Sequence, residues 1–228
     1  MDAAAMHRLT DDPRRTADRH YLGRDPLSGV SGSILEFVKA RAGRRIADLG
    51  CGTGGYALML QRAGFEVTAF DSNAEHVAAA ASLGVPAFEV DGALPLADRS
   101  VDTLMMIEVL EHVPDDEIAP LLEEVRRVVR TNVLLTVPDC GDVSRMREVG
   151  ITCEHFLASD HVQFFSAGSL AALLGRFFPK VEIVRGDPIL PHLLLPAPLR
   201  RPLSALYRLG VLRPSLYSRL FVEARIDG

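Results

Sequence analysis

The period of the apolar positions changes several times along the chain, and each change marks an element. GSILEFVKARAG, residues 32–43, sets Ile34, Leu35, Val38 and Ala42 at helical spacing and stops at Gly43. RRIADLG then reads as a buried strand running into a glycine turn, and GGYALMLQRAG as the following helix, closed by Gly64. EVTAFD, NAEHVAAAASLG and PAFEVD continue as strand, helix and strand. This β-α-β-α-β alternation implies a parallel sheet with right-handed crossovers.

VDTLMMIE is a continuous apolar run suited to a central strand covered on both faces. In PDDEIAPLLEEVRRVV, Ile118, Leu121, Leu122, Val125, Val128 and Val129 share one helical face. Acids open that helix, and Arg126, Arg127 and Arg130 lie near its end, the charge order that a helix dipole favours. NVLLTVP reads as a fifth strand, SAGSLAALLGRFF as a helix with Ser166 at its N-cap, KVEIVRG as a sixth strand and SRLFVEARI as a seventh. The polar residues 1–30 form a lead-in or lid, with a short helix at Thr16–Tyr21. Residues 188–217, rich in Leu, Pro and Arg, form a helical cap inserted between strands six and seven.

Composition narrows the class. With 228 residues, 48% hydrophobic and 24% charged, the chain suits one well-buried α/β domain spanning 1–228. A net charge of −5 provides no electrostatic footprint for nucleic acid, so none is expected as a partner. Cys51, Cys140 and Cys153 are odd in number and lack CxxC spacing, which fits a reducing, cytoplasmic setting rather than a disulfide framework or zinc ribbon. The amino terminus has no apolar run of signal-peptide type, and no segment approaches the length of a membrane span, so neither is expected.

The glycine turn IADLGCGTGGYA carries two overlapping patterns. Gly50, Gly52 and Gly55 satisfy the dinucleotide fingerprint, whereas Gly50, Gly52 and Gly54 satisfy the shorter turn that holds S-adenosylmethionine. Asp48 sits at the strand end just before the turn. A carboxylate there is awkward for a pyrophosphate and favourable for a sulfonium and an α-ammonium, so the second pattern leads. Gly55 then reads as a small residue that lets the first helix pack close to the sheet. Asp71 ends the second strand, where a carboxylate can accept both ribose hydroxyls, and Asp91 follows the third, where it can accept from an adenine amino group beside the Gly92 and Ala93 backbone.

ADLGCGTGGYALML, VTAFDSN, VDGALPLADRSVD, IEVLEHVPDD and NVLLTVPD fall in the order and at the spacing of class I S-adenosylmethionine-dependent methyltransferases, which the chain resembles over about residues 34–140. The resemblance implies a Rossmann-like α/β fold whose seven-stranded sheet has order 3-2-1-4-5-7-6, with strand seven antiparallel and helices on both faces. It implies S-adenosylmethionine as cofactor, with Asp48, Gly50, Cys51, Gly52 and Gly54 in the first motif and Asp71 and Ser72 at the ribose. Asp91, Gly92 and Ala93 then fall at the adenine and Glu108 at the methionine end. RRVVRTNVLL departs from the Pro-Gly-Gly turn that many relatives carry before strand five.

Methyl transfer is a displacement at an already activated carbon, so much of the catalysis comes from orientation. A hydroxyl acceptor gains further from a base or a metal. CEHFLASDHVQFFS follows strand five, resembles the DH..FF stretch of bacterial methyltransferases that modify sugars and glycans, and supplies His161 as candidate general base. Asp160 or His155 would orient it. Glu108, Glu111 and His112 match the ExxEH metal motif of coenzyme-Q-type and small-RNA O-methyltransferases, with His161 as a completing histidine. The same motif occurs widely in relatives not known to need metal, so no metal is assigned. The resulting expectation is O-methylation of a small molecule, a sugar or glycan-pathway intermediate; the rivals are an NAD(P)-linked oxidoreductase and a non-catalytic S-adenosylmethionine-binding protein.

No acid occurs from Pro188 to Val222, while Arg200, Arg201, Arg208, Arg213 and Arg219 do. The cap therefore reads as a site for an anionic acceptor through Arg200 and Arg201, or as a structural cap or homodimer surface. A membrane-surface element would need a cleaner amphipathic stripe than the three prolines between Pro191 and Pro198 suggest.

Overall fold

The computed structural model describes residues 25–148 and 160–227. The lead-in helix at Thr16–Tyr21, Cys153 and His155 lie outside the described residues. Seven strands form one sheet: β1 (Arg45–Leu49), β2 (Glu66–Asp71), β3 (Ala87–Glu89), β4 (Val101–Ile107), β5 (Val129–Pro138), β6 (Lys180–Ile189) and β7 (Leu216–Arg225). Their order is β3-β2-β1-β4-β5-β7-β6. The first five strands pair in parallel, and β7 runs antiparallel to both β5 and β6. The described helices are α1 (Gly32–Arg41), α2 (Gly55–Arg62), α3 (Ala74–Ser82), α4 (Asp115–Val128), α5 (Val143–Glu148), α6 (Ala167–Leu174) and α7 (Ala197–Arg208).

The uninterrupted apolar run of β4 follows from its burial on both faces. Leu104 and Met106 join Val133, Leu135 and Val137 of β5 under Leu122 and Val125 of α4 and Leu170 of α6. Met105 and Leu134 point to the opposite face, against Ile34 and Val38 of α1 and Leu60 of α2. β3 is one of the two edge strands and only three residues long, with Phe88 half exposed. Among the described residues no helix is long and apolar enough to cross a membrane.

Several boundaries differ from the sequence pattern. β6 continues through Ile189 and β7 begins at Leu216, because Pro188 and Ile189 pair with Tyr217 and Leu216. The connecting cap thus spans 190–215 rather than 188–217. β5 begins at Val129, which takes Arg130 out of the helix and sets it against Asp102 at 2.7 Å. Helix α5 had no clear periodic signal; it is six residues long and buries Met146.

Candidate functional site

The carboxyl ends of β1, β2 and β4 bring the glycine turn and its acids together. Gly50 and Gly52 have φ of 73° and 52°, the left-handed region that side chains rarely adopt. A Cβ on Gly50 would lie 2.5 Å from Val109, whereas above Gly52 there is open space. The turn is held from below: the Gly50 and Cys51 N–H groups donate to the Phe70 carbonyl, and Gly52 N–H donates to the Asp71 carboxylate at 2.8 Å. Gly54 is the N-cap of α2. Gly55 has a different role from the one its sequence position suggests. A Cβ there would meet the Pro26 carbonyl at 2.3 Å, so its smallness lets residues 26–30 cross the start of α2.

Asp48 is 2% exposed, and its Oδ2 has no hydrogen-bond partner. Burial, reinforced by the nearby Asp71 charge, pushes its carboxyl up to about 8. Asp71 behaves oppositely. Burial opposes its charge, but hydrogen bonding from His76, Asn73 N–H and Gly52 N–H prevails and holds it below the ordinary carboxylate range. Cys51 is buried beside both acids, which raises its thiol and keeps it protonated and unreactive. Ser72 is exposed beside Asp71, and Asp91, Gly92 and Ala93 form an exposed loop after β3. That loop is tied to β2 through Val90 N–H and the Asp71 carbonyl, 3.0 Å apart.

A second cluster lies after β4. Glu108 has φ 55°; its Oε1 accepts from Thr136 Oγ1 at 2.7 Å and from Arg219 Nε at 2.9 Å, while its Oε2 is buried without a partner. Glu111, in a short 3-10 turn over Leu110–His112, is 1% exposed, and neither carboxylate oxygen has a partner. Burial first, and then the Glu108 charge, raise its carboxyl well above the ordinary range. The backbone of the next segment is pinned onto this turn, with Val162 and Gln163 N–H donating to the Glu111 carbonyl at 2.9 and 3.0 Å. His161 is thereby delivered to His112, ring to ring at 4.7 Å. One ligating atom from each of Glu111, His112 and His161 falls within 4.8 Å of the others.

Asp160 sets its backbone carbonyl 3.2 Å and its carboxylate 3.4 Å from His112 Nδ1, so it positions His112, whose ring lies against that of His161. Arg219 leaves the basic cap altogether. It lies on β7 with a largely buried side chain, between Glu108 and Asp187, and Asp187 also accepts from Ser33. Nearby, the Tyr56 hydroxyl accepts from Ser31 N–H at 3.0 Å. Neither Arg219 nor Asp187 was legible as a site residue, because Arg219 and Glu108 are 111 positions apart.

A sheet of this order with its last strand reversed, and a glycine turn between two strand-end acids, define the class I S-adenosylmethionine-dependent methyltransferase fold. Residues 47–137 match the family described as methyltransferase domain. Ubiquinone biosynthesis O-methyltransferase of Xanthomonas oryzae pv. oryzae is 36% identical over 101 residues, 40% of this chain and 42% of that protein. Its counterpart in Xanthomonas euvesicatoria pv. vesicatoria is 38% identical over the same length. The match thus spans about two-fifths of these curated relatives. A S-adenosylmethionine-dependent methyltransferase from Archaeoglobus fulgidus superposes with TM-score 0.65 at 14% identity, over 90% of this chain and 99% of that one. One from Thermotoga maritima, described as a possible histamine N-methyltransferase, superposes with TM-score 0.64 at 17% identity over 93% and 95%. At these identities the superpositions establish the fold.

Proposed function

We propose that this chain transfers a methyl group from S-adenosylmethionine to a hydroxyl of a small molecule. The observation that carries this reading is the convergence of Glu111, His112 and His161 beside Glu108, at the strand end that follows the glycine turn. The residues fit the cofactor: Asp48 has an orphaned buried oxygen suited to a cation, and the space over Gly52 is open. Asp48, Gly50, Cys51, Gly52, Gly54 and Glu108 would hold the methionine part, Asp71 and Ser72 the ribose, and Asp91, Gly92 and Ala93 the adenine. S-adenosylmethionine supplies an electrophilic methyl on a sulfonium. The protein's part is to orient the acceptor oxygen and remove its proton, and His161 is the base that takes it. The O-methyltransferase name of the curated relatives supports a hydroxyl acceptor. A sugar or glycan-pathway intermediate is the finer proposal; it rests on the resemblance of Asp160, His161, Phe164 and Phe165 to glycan-modifying relatives.

A second reading follows from the same cluster. One buried carboxylate, Glu111, converging with two imidazoles beside the partly buried Glu108 suits a divalent cation, whose charge would offset the burial of Glu111 and polarise the acceptor oxygen. Glu108, Glu111, His112 and His161 would hold it. Transfer of tritiated methyl to a panel of sugar, glycan-intermediate and phenolic hydroxyls tests both readings. Replacing His161 with Ala should lower kcat by about a hundredfold or more while S-adenosylhomocysteine affinity is retained. Unchanged turnover would remove His161 from the chemistry. Loss of activity in EDTA with recovery in Mg²⁺ selects the metal reading, and NADH binding in preference to S-adenosylmethionine overturns the proposal.

A further inference from the structure

Helix α7 is amphipathic, and most of its apolar side is left exposed. At 100° per residue, Pro198, Leu199, Pro202, Leu203, Leu206 and Leu209 share one side, while Arg200, Ser204, Arg208 and Arg201 share the other. A helix that covers a core buries the first set. Here no residue of α7 is buried, and it is Ser204 and Tyr207 that meet the rest of the cap. Ser204 Oγ lies 3.1 Å from Nε2 of the buried His192, whose ring stacks on Tyr207 at 4.5 Å. The apolar side is left in solvent: Leu199 is 58% exposed, Leu209 76%, and Val211 just beyond the helix 67%. Leu193, in the short 3-10 turn Pro191–Leu194 before the helix, adds a side chain 51% exposed.

The prolines do not spoil this stripe. Pro198 stands in the first turn of α7, where an N–H would have no helical partner, and Pro191 and Pro196 precede the helix. Only Pro202 lies in the helix interior, and it belongs to the apolar side.

Charge decides what covers the stripe. Arg200, Arg201, Arg208 and Arg213 all lie in the cap, no acid occurs from Pro188 to Val222, and the whole chain is at −5. A second copy meeting this face about a two-fold axis would set arginines against arginines, with no carboxylate in the patch to pair them. An anionic lipid surface complements both features, since the leucines enter the headgroup boundary and the flanking arginines reach phosphates. It also repels the acidic remainder, which fixes the orientation. We infer that the outward face of α7 docks on an anionic membrane surface. β6 runs parallel to β5, so its carboxyl end, from which the cap springs, is on the same edge as the candidate site. Docking therefore holds that edge near the bilayer.

Flotation of the full chain with phosphatidylcholine vesicles, with and without phosphatidylglycerol, tests this without any methylation assay. Binding is expected to the phosphatidylglycerol vesicles alone and should weaken as salt is added. Arg200→Gln and Arg201→Gln should each cost roughly fivefold in affinity. Leu199→Ser with Leu209→Ser should abolish binding, and because both side chains are exposed, the thermal midpoint should not fall. No difference between the two lipid compositions, or full binding by the arginine variants, overturns the inference. So does self-association of the wild-type chain in sedimentation velocity that the two serine substitutions abolish.

Discussion

Asp48 is the residue at which burial and the proposed role conflict most directly. Its carboxyl is carried from the ordinary 3.8 to about 8, so between those values the folded chain holds a proton that the unfolded chain has released. The native state then binds more protons than the unfolded state. Stability from this group therefore declines as pH rises from about 4 toward 8 and levels off above. Asp48→Asn should flatten that decline, and above pH 8 the cofactor-free variant should melt higher than the wild type in calorimetry. The same substitution removes one of the two strand-end carboxylates beneath the glycine turn, the one whose Oδ2 has no partner. A hydrogen bond to a charged group contributes about 1.5–3 kcal/mol, so S-adenosylhomocysteine should bind roughly ten- to a hundredfold more weakly by titration calorimetry. Equal affinity would show that Asp48 only supports the turn. The position of Asp48 before the glycines was readable from the chain; its isolation in the core was not, because that depends on Met105 of β4 lying beside it in the sheet.

Among the elements, α6 ties the candidate base to the fold. Its Ser166 N-cap was legible from the sequence, and the structure adds a reciprocal capping box in which Ser166 Oγ accepts from Ser169 N–H and Ser169 Oγ accepts from Ser166 N–H. Both bonds fix where the segment carrying His161 ends. Ser166→Ala should therefore cost about 1 kcal/mol in urea denaturation, while Ser166→Thr should recover most of it. An unchanged midpoint would mean that Leu170 and Leu174, both fully buried, anchor the helix without the cap. The misplaced boundaries have a common origin. Pro188 and Ile189 look like a strand terminator and a loop, yet β7 supplies partners for both, and an edge strand tolerates a proline because one side needs no N–H.

At the scale of the whole molecule, Arg219 joins parts that are remote in the chain: β7 itself, the end of β4 through Glu108, and the end of β6 through Asp187. Its guanidinium is largely buried; burial opposes its charge, but the two carboxylates prevail and raise its pKa. Replacing it with Gln would leave two carboxylates facing each other with no cation between them. Arg219→Gln should therefore destabilise the fold by about 3 kcal/mol or more in urea, and adding Asp187→Asn should restore part of that loss. Additive losses would refute a shared cluster. The sequence by itself determined the alternation of strands and helices, the glycine turn and the strand-end acids, because these follow from periodicity and from local backbone chemistry. Resemblance extended that to the strand order. Only the tertiary structure decided that Asp160 contacts His112, that Gly55 makes room for residues 26–30, that Arg219 meets Glu108 and that α7 leaves leucines exposed. Each of these depends on which side chains meet across a sheet edge or a cap, and neither period nor spacing along one chain encodes such meetings.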